Sequence, residues 1–175
     1  KITPELASKG AENGWLPFIS VAGASNVEIS GEGTIDGQGA VWWERWRANV
    51  RADASTRRST DRPRLIYVRD SQNVRVAGLN LYNSPSFHVV MRNADEVEVT
   101  RNRIVTPWHA PNTDAIDPIN SRNVRITYNY IDCNDDHVAI KAEKFDPKHP
   151  DGVTRNIYIA HNTLMQGRGI SIGSE

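Results

Sequence analysis

Cysteine occurs once, at Cys133, which excludes an intrachain disulfide and leaves a thiolate metal cluster without ligands. The residue is expected to be a small buried filler. No apolar run is long enough to span a bilayer, and no signal-peptide pattern opens the chain. An excess of charge is lacking too: 21 Lys and Arg meet 21 Asp and Glu. No global field therefore favours nucleic acid, an acidic polymer or a membrane surface, and attraction for an anionic substrate has to be local. The initiator Met is missing, from which a processed or excised product is expected, with any secretion signal outside this sequence.

What is present is the composition of a globular protein, 38% hydrophobic and 24% charged over 175 residues, a length typical of one domain. One short pattern recurs along it: Asn26-Val27-Glu28-Ile29, Asn73-Val74-Arg75-Val76, Glu96-Val97-Glu98-Val99, Asn123-Val124-Arg125-Ile126 and Asn156-Ile157-Tyr158-Ile159. Each reads as a strand with alternate residues apolar. After the last four, an apolar residue follows at constant offset, at Leu81, Ile104, Ile131 and Leu164; Asn102, Asn129 and Asn162 stand two places before the last three. Before the first four comes a second strand with the pairs Ile19/Val21, Ile66/Val68, Val89/Met91 and Ile116/Pro118, a series continued by Val138/Ile140 and Ile170/Ile172.

From Val74 to Val97 is 23 residues, to Val124 another 27 and to Ile157 another 33, the last lengthened by a loop from Glu143 to Val153. Units of this length, with short strands and no helical period, suit an all-β fold, a parallel β-helix whose coils stack about 4.8 Å apart. Residues 1–175 read as part of one such domain. A Trp- and Arg-rich insertion at about 40–64, with Trp42, Trp43 and Trp46, fits a short amphipathic helix. Its tryptophans are expected to pin it against the solenoid wall. Stacking of one of them on a sugar ring is the sharper alternative, and its arginines fit a solvated basic face or contact with an acidic polymer equally well.

Aligning coils on Ile66, Val89, Ile116, Val138 and Ile170, the residue two positions earlier forms the column Arg64, Phe87, Asp114, Asp136, Arg168. Asp114 and Asp136 thus share a register on consecutive coils, roughly 5 Å apart, with Asp135 adjacent and Arg168 on the next coil. Strict alternation would aim Asp114 to the same side as Ile116, so a turn has to break the alternation before the strand. Crowded carboxylates resist simultaneous ionisation, keeping one protonated beside charged neighbours, a division suited to glycoside cleavage. A Ca²⁺ site or solvated turn aspartates are the alternatives at this point.

Asn112-Thr113-Asp114, Asp135-Asp136 and Gly167-Arg168-Gly169-Ile170-Ser171-Ile172-Gly173-Ser174 resemble the polygalacturonase family of glycoside hydrolases, as does Gly31-Glu32-Gly33-Thr34-Ile35-Asp36-Gly37-Gln38-Gly39 followed by Trp42-Trp43. The resemblance implies a right-handed, single-stranded parallel β-helix that hydrolyses α-1,4-galacturonan bonds with inversion, and no metal or cofactor. It implies that Asp135 is the general acid and that Asp114 and Asp136 orient the attacking water. Substrate-binding or supporting places are implied for Asn112, Asp117, Lys141 and Arg168; a solvated surface position is the alternative for Lys141. Ala115 stands where the family usually has Gly. The family's Gly-His-Gly is here Gly167-Arg168-Gly169, a permanent cation for a titratable imidazole. The family's downstream Arg-Ile-Lys does not occur before Glu175, so a fragment truncated at its C-terminal end is expected.

The implied partner is a pectic polysaccharide, not nucleic acid or membrane, for a secreted or periplasmic protein that is a monomer when full length. Two other classes stay open. A pectate-lyase-like enzyme would use the aspartates to hold Ca²⁺ and Arg168 as base. A non-catalytic β-helix would only bind polysaccharide.

Overall fold

The computed structural model describes residues 9–10, 14–58, 62–144, 146–150 and 152–173. Three parallel sheets run its length, each taking one short strand from every coil. Sheet I comprises Ile19–Ala22, Ile66–Arg69, Val89–Arg92, Ile116–Ile119, Val138–Ile140 and Ile170–Ile172. Sheet II comprises Ser25–Ser30, Gln72–Ala77, Asp95–Thr100, Arg122–Thr127 and Arg155–Ala160; sheet III comprises Thr34–Asp36, Asn80–Tyr82, Arg103–Val105, Tyr130–Asp132 and Thr163–Leu164. This is a parallel β-helix. Its register follows the repeat: Ile66, Val89, Ile116, Val138 and Ile170 pair in turn, as do Val74, Val97, Val124 and Ile157, and Leu81, Ile104, Ile131 and Leu164.

The alternation places one apolar column from each sheet in a shared interior, including Ile66, Val97, Ile116, Val124, Ile131 and Val138. Burying each Val, Leu or Ile contributes roughly 1.5–3 kcal/mol. Cys133 belongs to this core, and burial pushes its thiol up to about 12. Polar side chains enter the buried region too. Asn102, Asn129 and Asn162 form a ladder: the backbone N–H of Asn102 donates to Asn129 Oδ1 (3.0 Å), that of Asn129 to Asn162 Oδ1 (2.9 Å), and Asn129 Nδ2 donates to the Val99 carbonyl (2.9 Å). Each amide side chain so satisfies backbone groups that a tight corner leaves without a strand partner.

The corners explain the repeated asparagine. Asn26, Asn73, Glu96, Asn123 and Asn156 occupy one position on five successive coils, and all have φ between 52° and 60°. Asn tolerates this left-handed conformation better than other non-glycine residues. Asn73 Nδ2 also donates to Asn26 Oδ1 (2.7 Å), and Asn156 Nδ2 to Asn123 Oδ1 (3.1 Å).

The insertion forms a helix, Ala40–Ala52, and a 3₁₀ turn, Ala54–Arg58; residues 59–61 of it lie outside the described residues. Trp42 and Trp43 are buried, and Trp43 Nε1 donates to the Ser84 carbonyl at 3.2 Å. They pin the helix to the coils, as expected. Trp46, one turn on, is only partly buried. Ser174 and Glu175 lie outside the described residues.

Candidate active site

Asp114 and Asp136 stand just before the sheet I strands Ile116–Ile119 and Val138–Ile140. The peptide ladder continues beneath them, the Ala115 N–H donating to the Asp136 carbonyl at 2.9 Å, so they occupy successive rungs. The break in alternation is visible at Ala115, a bend residue whose methyl joins the core together with Ile116. Two consecutive inward residues turn Asp114 outward. Ala115 is not in the left-handed conformation, so glycine is not required there.

Four acidic groups gather, two of them sharing one partner. Lys141 Nζ donates to Asp117 Oδ2 (2.9 Å) and Asp114 Oδ2 (3.1 Å) and lies 4.1 Å from the centre of the Phe87 ring. Ser171 Oγ donates to Asp136 Oδ1 at 2.7 Å. Arg168 Nη1 lies 3.2 Å from Asp135 Oδ1, and the Asp136 N–H donates to the same oxygen, also at 3.2 Å. Burial raises the Asp114 carboxyl to about 6, against the pull of Lys141. Burial, then the Asp114 charge, raises Asp117 well above the ordinary range. Burial also opposes the charge on Lys141, but the two carboxylates outweigh it and the ammonium is held above its usual range. One ammonium thus serves two carboxylates. Asp117 is fully buried, so the charged form costs more there than at Asp114.

Burial raises Asp135 as well, the guanidinium of Arg168 opposing it. The arrangement sets Asp135, whose proton affinity burial raises, beside two further carboxyl groups held by Lys141 and Ser171. Among the described residues no group of three His, Cys, Asp or Glu side chains is disposed to hold a metal ion.

Several expectations need correction. Lys141 is not a solvated surface lysine: only 3% of it is exposed, and its charge is engaged by Asp114 and Asp117. Asp117, with no exposed surface, is a buried counter-ion and not a group that reaches a ligand. Asn112 accepts a hydrogen bond from Arg62 Nη2 at 2.8 Å through its side chain, in a left-handed turn with φ 48°. Arg168 departs from the column in which the register puts it. The His137 N–H bonds the Gly169 carbonyl (2.9 Å) and the Arg168 N–H bonds the Asp135 carbonyl (3.0 Å). The slip is local, since Val138 and Ile170 still pair. Gly167 permits it: a Cβ there would lie 2.5 Å from His137 Cε1.

Three contributors went unrecognised in the sequence. Arg62, one of the insertion's arginines read there as a solvated basic face or a contact for an acidic polymer, is buried and donates to the Pro85 (3.0 Å) and Pro111 (2.7 Å) carbonyls, while burial lowers it to about 10. Nothing local distinguished it. His137 accepts from the Gly169 N–H at Nδ1 (2.9 Å), with Nε2 3.1 Å from the Gln166 carbonyl. Ser171 could have been found, because alternation from Ile170 puts it on the outer face. Beside Asp135 opens a cavity of about 360 Å³ lined by Trp46, Trp108, Asn112, Asn134 and Arg168 among others.

Comparison with known proteins gives a consistent set. The model of glycosyl hydrolases family 28 matches residues 4–175. An endo-polygalacturonase of Pectobacterium parmentieri is 42% identical over 167 residues, covering 90% of this chain and 39% of that protein. A solved polygalacturonase from Erwinia carotovora ssp. carotovora superposes with a TM-score of 0.80 at 36% identity, over 96% of this chain and 46% of that one. An endo-xylogalacturonan hydrolase of Aspergillus tubingensis gives a TM-score of 0.67 at 27% identity, over 89% of this chain and 39% of the other. The chain spans less than half the length of these relatives.

Proposed function

Because the chain belongs to glycosyl hydrolases family 28, we propose that it carries the acid–base machinery of an inverting hydrolase acting on α-1,4-galacturonosyl bonds of a pectic polysaccharide. The observation that carries this reading is the convergence of Asp114, Asp135 and Asp136 from two coils, each held by a different partner: Lys141, Arg168 and Ser171. Asp135 is the general acid: it lines the open cavity, and burial raises its proton affinity as it does that of Asp114. Its proton passes to the glycosidic oxygen as the bond to the anomeric carbon breaks. Water held by Asp114 and Asp136 adds its oxygen to that carbon from the opposite face and gives its proton to one of them. Arg168 is mostly exposed and meets Asp135 on one side only, which leaves guanidinium donors for a substrate carboxylate. Asn112 lies beside it on the same cavity, while Lys141 and Asp117 set the charge of Asp114 from below.

No metal or cofactor enters this scheme. The protein is proposed to be a secreted or periplasmic monomer with residues 1–175 inside one β-helix domain; no helix among the described residues is long and apolar enough to cross a membrane. The test is incubation of the full-length protein with polygalacturonate, following reducing ends, ultraviolet absorbance and the anomeric proton by NMR. New reducing ends of inverted configuration, indifferent to chelator, are expected. An unsaturated, chelator-sensitive product would make it an eliminase, and retention on pectin without cleavage a binding module.

A further inference from the structure

Trp108 is the most exposed aromatic side chain among the described residues, at 67%, yet it is not loosely held. Its ring meets His109 edge to face at 5.7 Å, and His109 meets the buried Trp43 in the same manner at 6.1 Å. The His109 carbonyl accepts from Arg47 at 2.8 Å, which ties the loop to the inserted helix. An indole braced from behind and bare in front presents a fixed apolar face, unlike the singly exposed hydrophobes common on protein surfaces.

That face lies on a boundary. Trp108 lines the cavity of about 360 Å³ that contains Asp135 and Arg168, and also a second open cavity of about 450 Å³ on the sheet III side. In the second, Arg103 is stacked 4.1 Å from the centre of the Tyr130 ring, and Tyr82 lines the same cavity. The tyrosines come from the coils on either side, so the guanidinium lies against the Tyr130 ring between two neighbouring coils while remaining exposed. Each cavity thus pairs the shared indole with one arginine.

Resting on the hydrolase reading above, we propose that Trp108 and Arg103 form an accessory sugar subsite outside the cleft, which takes a further galacturonate residue of the bound polymer. The apolar face of a pyranose ring covers the indole and its carboxylate meets the Arg103 fork. Asp132 also lines this cavity and repels an acidic ring, which orients the carboxylate toward Arg103. The subsite extends recognition along the chain and takes no part in bond cleavage.

The test measures binding of galacturonate oligomers by calorimetry to the full-length protein carrying Asp135→Asn, so that turnover does not interfere. Trp108→Ala is expected to weaken hexamer binding roughly ten-fold, the scale of a truncated aromatic anchor, and to leave dimer binding unchanged. Trp108→Phe should retain most of the affinity. Arg103→Gln should weaken the hexamer acid but not its methyl ester. Equal hexamer affinity with and without Trp108, or equal losses for dimer and hexamer, would overturn the subsite. Binding that depends on Trp108, in a protein whose wild type releases no reducing ends, would keep the subsite and sink the hydrolase reading instead.

Discussion

The backbone N–H of Gly169 donates to Nδ1 of His137 at 2.9 Å, joining residues 32 apart in sequence. Because Nδ1 accepts, the ring proton lies on Nε2, where it meets the Gln166 carbonyl at 3.1 Å. A neutral imidazole of one tautomer therefore spans both ends of the segment that carries Arg168 to Asp135. Burial lowers the affinity of His137 for a second proton, which protects the arrangement in mild acid.

His137→Leu keeps the volume but leaves the Gly169 N–H and the Gln166 carbonyl without partners. A loss of roughly 1–3 kcal/mol is expected, read by chemical denaturation. Unchanged stability would show that the segment is held by the strand Ile170–Ile172 alone.

Asp135→Asn preserves shape while removing the transferable proton. Turnover of polygalacturonate by the full-length protein should fall by about 10²–10⁴-fold, with the melting temperature little altered. Near wild-type turnover assigns the proton to another group.

Arg168 opposes the burial that raises Asp135, so removing its charge should raise that carboxyl further. In Arg168→Gln the alkaline limb of the pH–rate profile should move upward, because the acid keeps its proton to higher pH. Arg168→His should move it the same way. The arginine is largely exposed, so the displacement should be well under the full effect of a buried pair, and salt should reproduce part of it in the wild type. A limb that stays put in both variants uncouples Arg168 from the proton donor.

Asp114 has a folded-state pKa of about 6, above the ordinary 3.8. Between these values the folded protein keeps a proton that the unfolded chain has lost, so this group favours folding at low pH and ceases to do so as pH rises through about 6. Relative to Asp114→Asn, the wild type should lose of the order of 2 kcal/mol between pH 4 and pH 7. Parallel stability curves for the two proteins across that range would refute the shift.

Glu96 is the exception among the left-handed corner residues of sheet II, with φ 55° where the other coils have asparagine. Its exposed contact with Gln72, at 3.2 Å, offers little in return. Glu96→Asn should stabilise the protein by about 0.5–1 kcal/mol, seen as a higher denaturation midpoint. A lower midpoint would mean that the Gln72 contact outweighs backbone preference.

The repeat made the register legible in the sequence, since Val74, Val97, Val124 and Ile157 recur with the spacing of one coil and pair as that spacing requires. It also made Asp114 and Asp136 neighbours. Side-chain direction beyond a bend was not legible, because alternation holds only inside a strand and Ala115 lies just outside one. The burial of Lys141 and Arg62 was hidden for another reason. Each is stabilised by carboxylates or carbonyls 23 to 50 residues away, and no local composition records such partners.

The left-handed corners bear on how such a chain can change. Each fixes the height of its coil through its own backbone, aided by the contacts of Asn73 with Asn26 and of Asn156 with Asn123, whereas the sequence between one corner and the next varies from 47 residues (Asn26 to Asn73) to 23 (Asn73 to Glu96). Extra length leaves the stack sideways, as the helix Ala40–Ala52 and the turn at Asp146 and His149 do. The walls around the carboxylates are therefore open to insertion and deletion while the rungs that carry Asp114 and Asp136 keep their level. A lineage can try new neighbours for a polysaccharide without re-solving the spacing of the groups that would cut it.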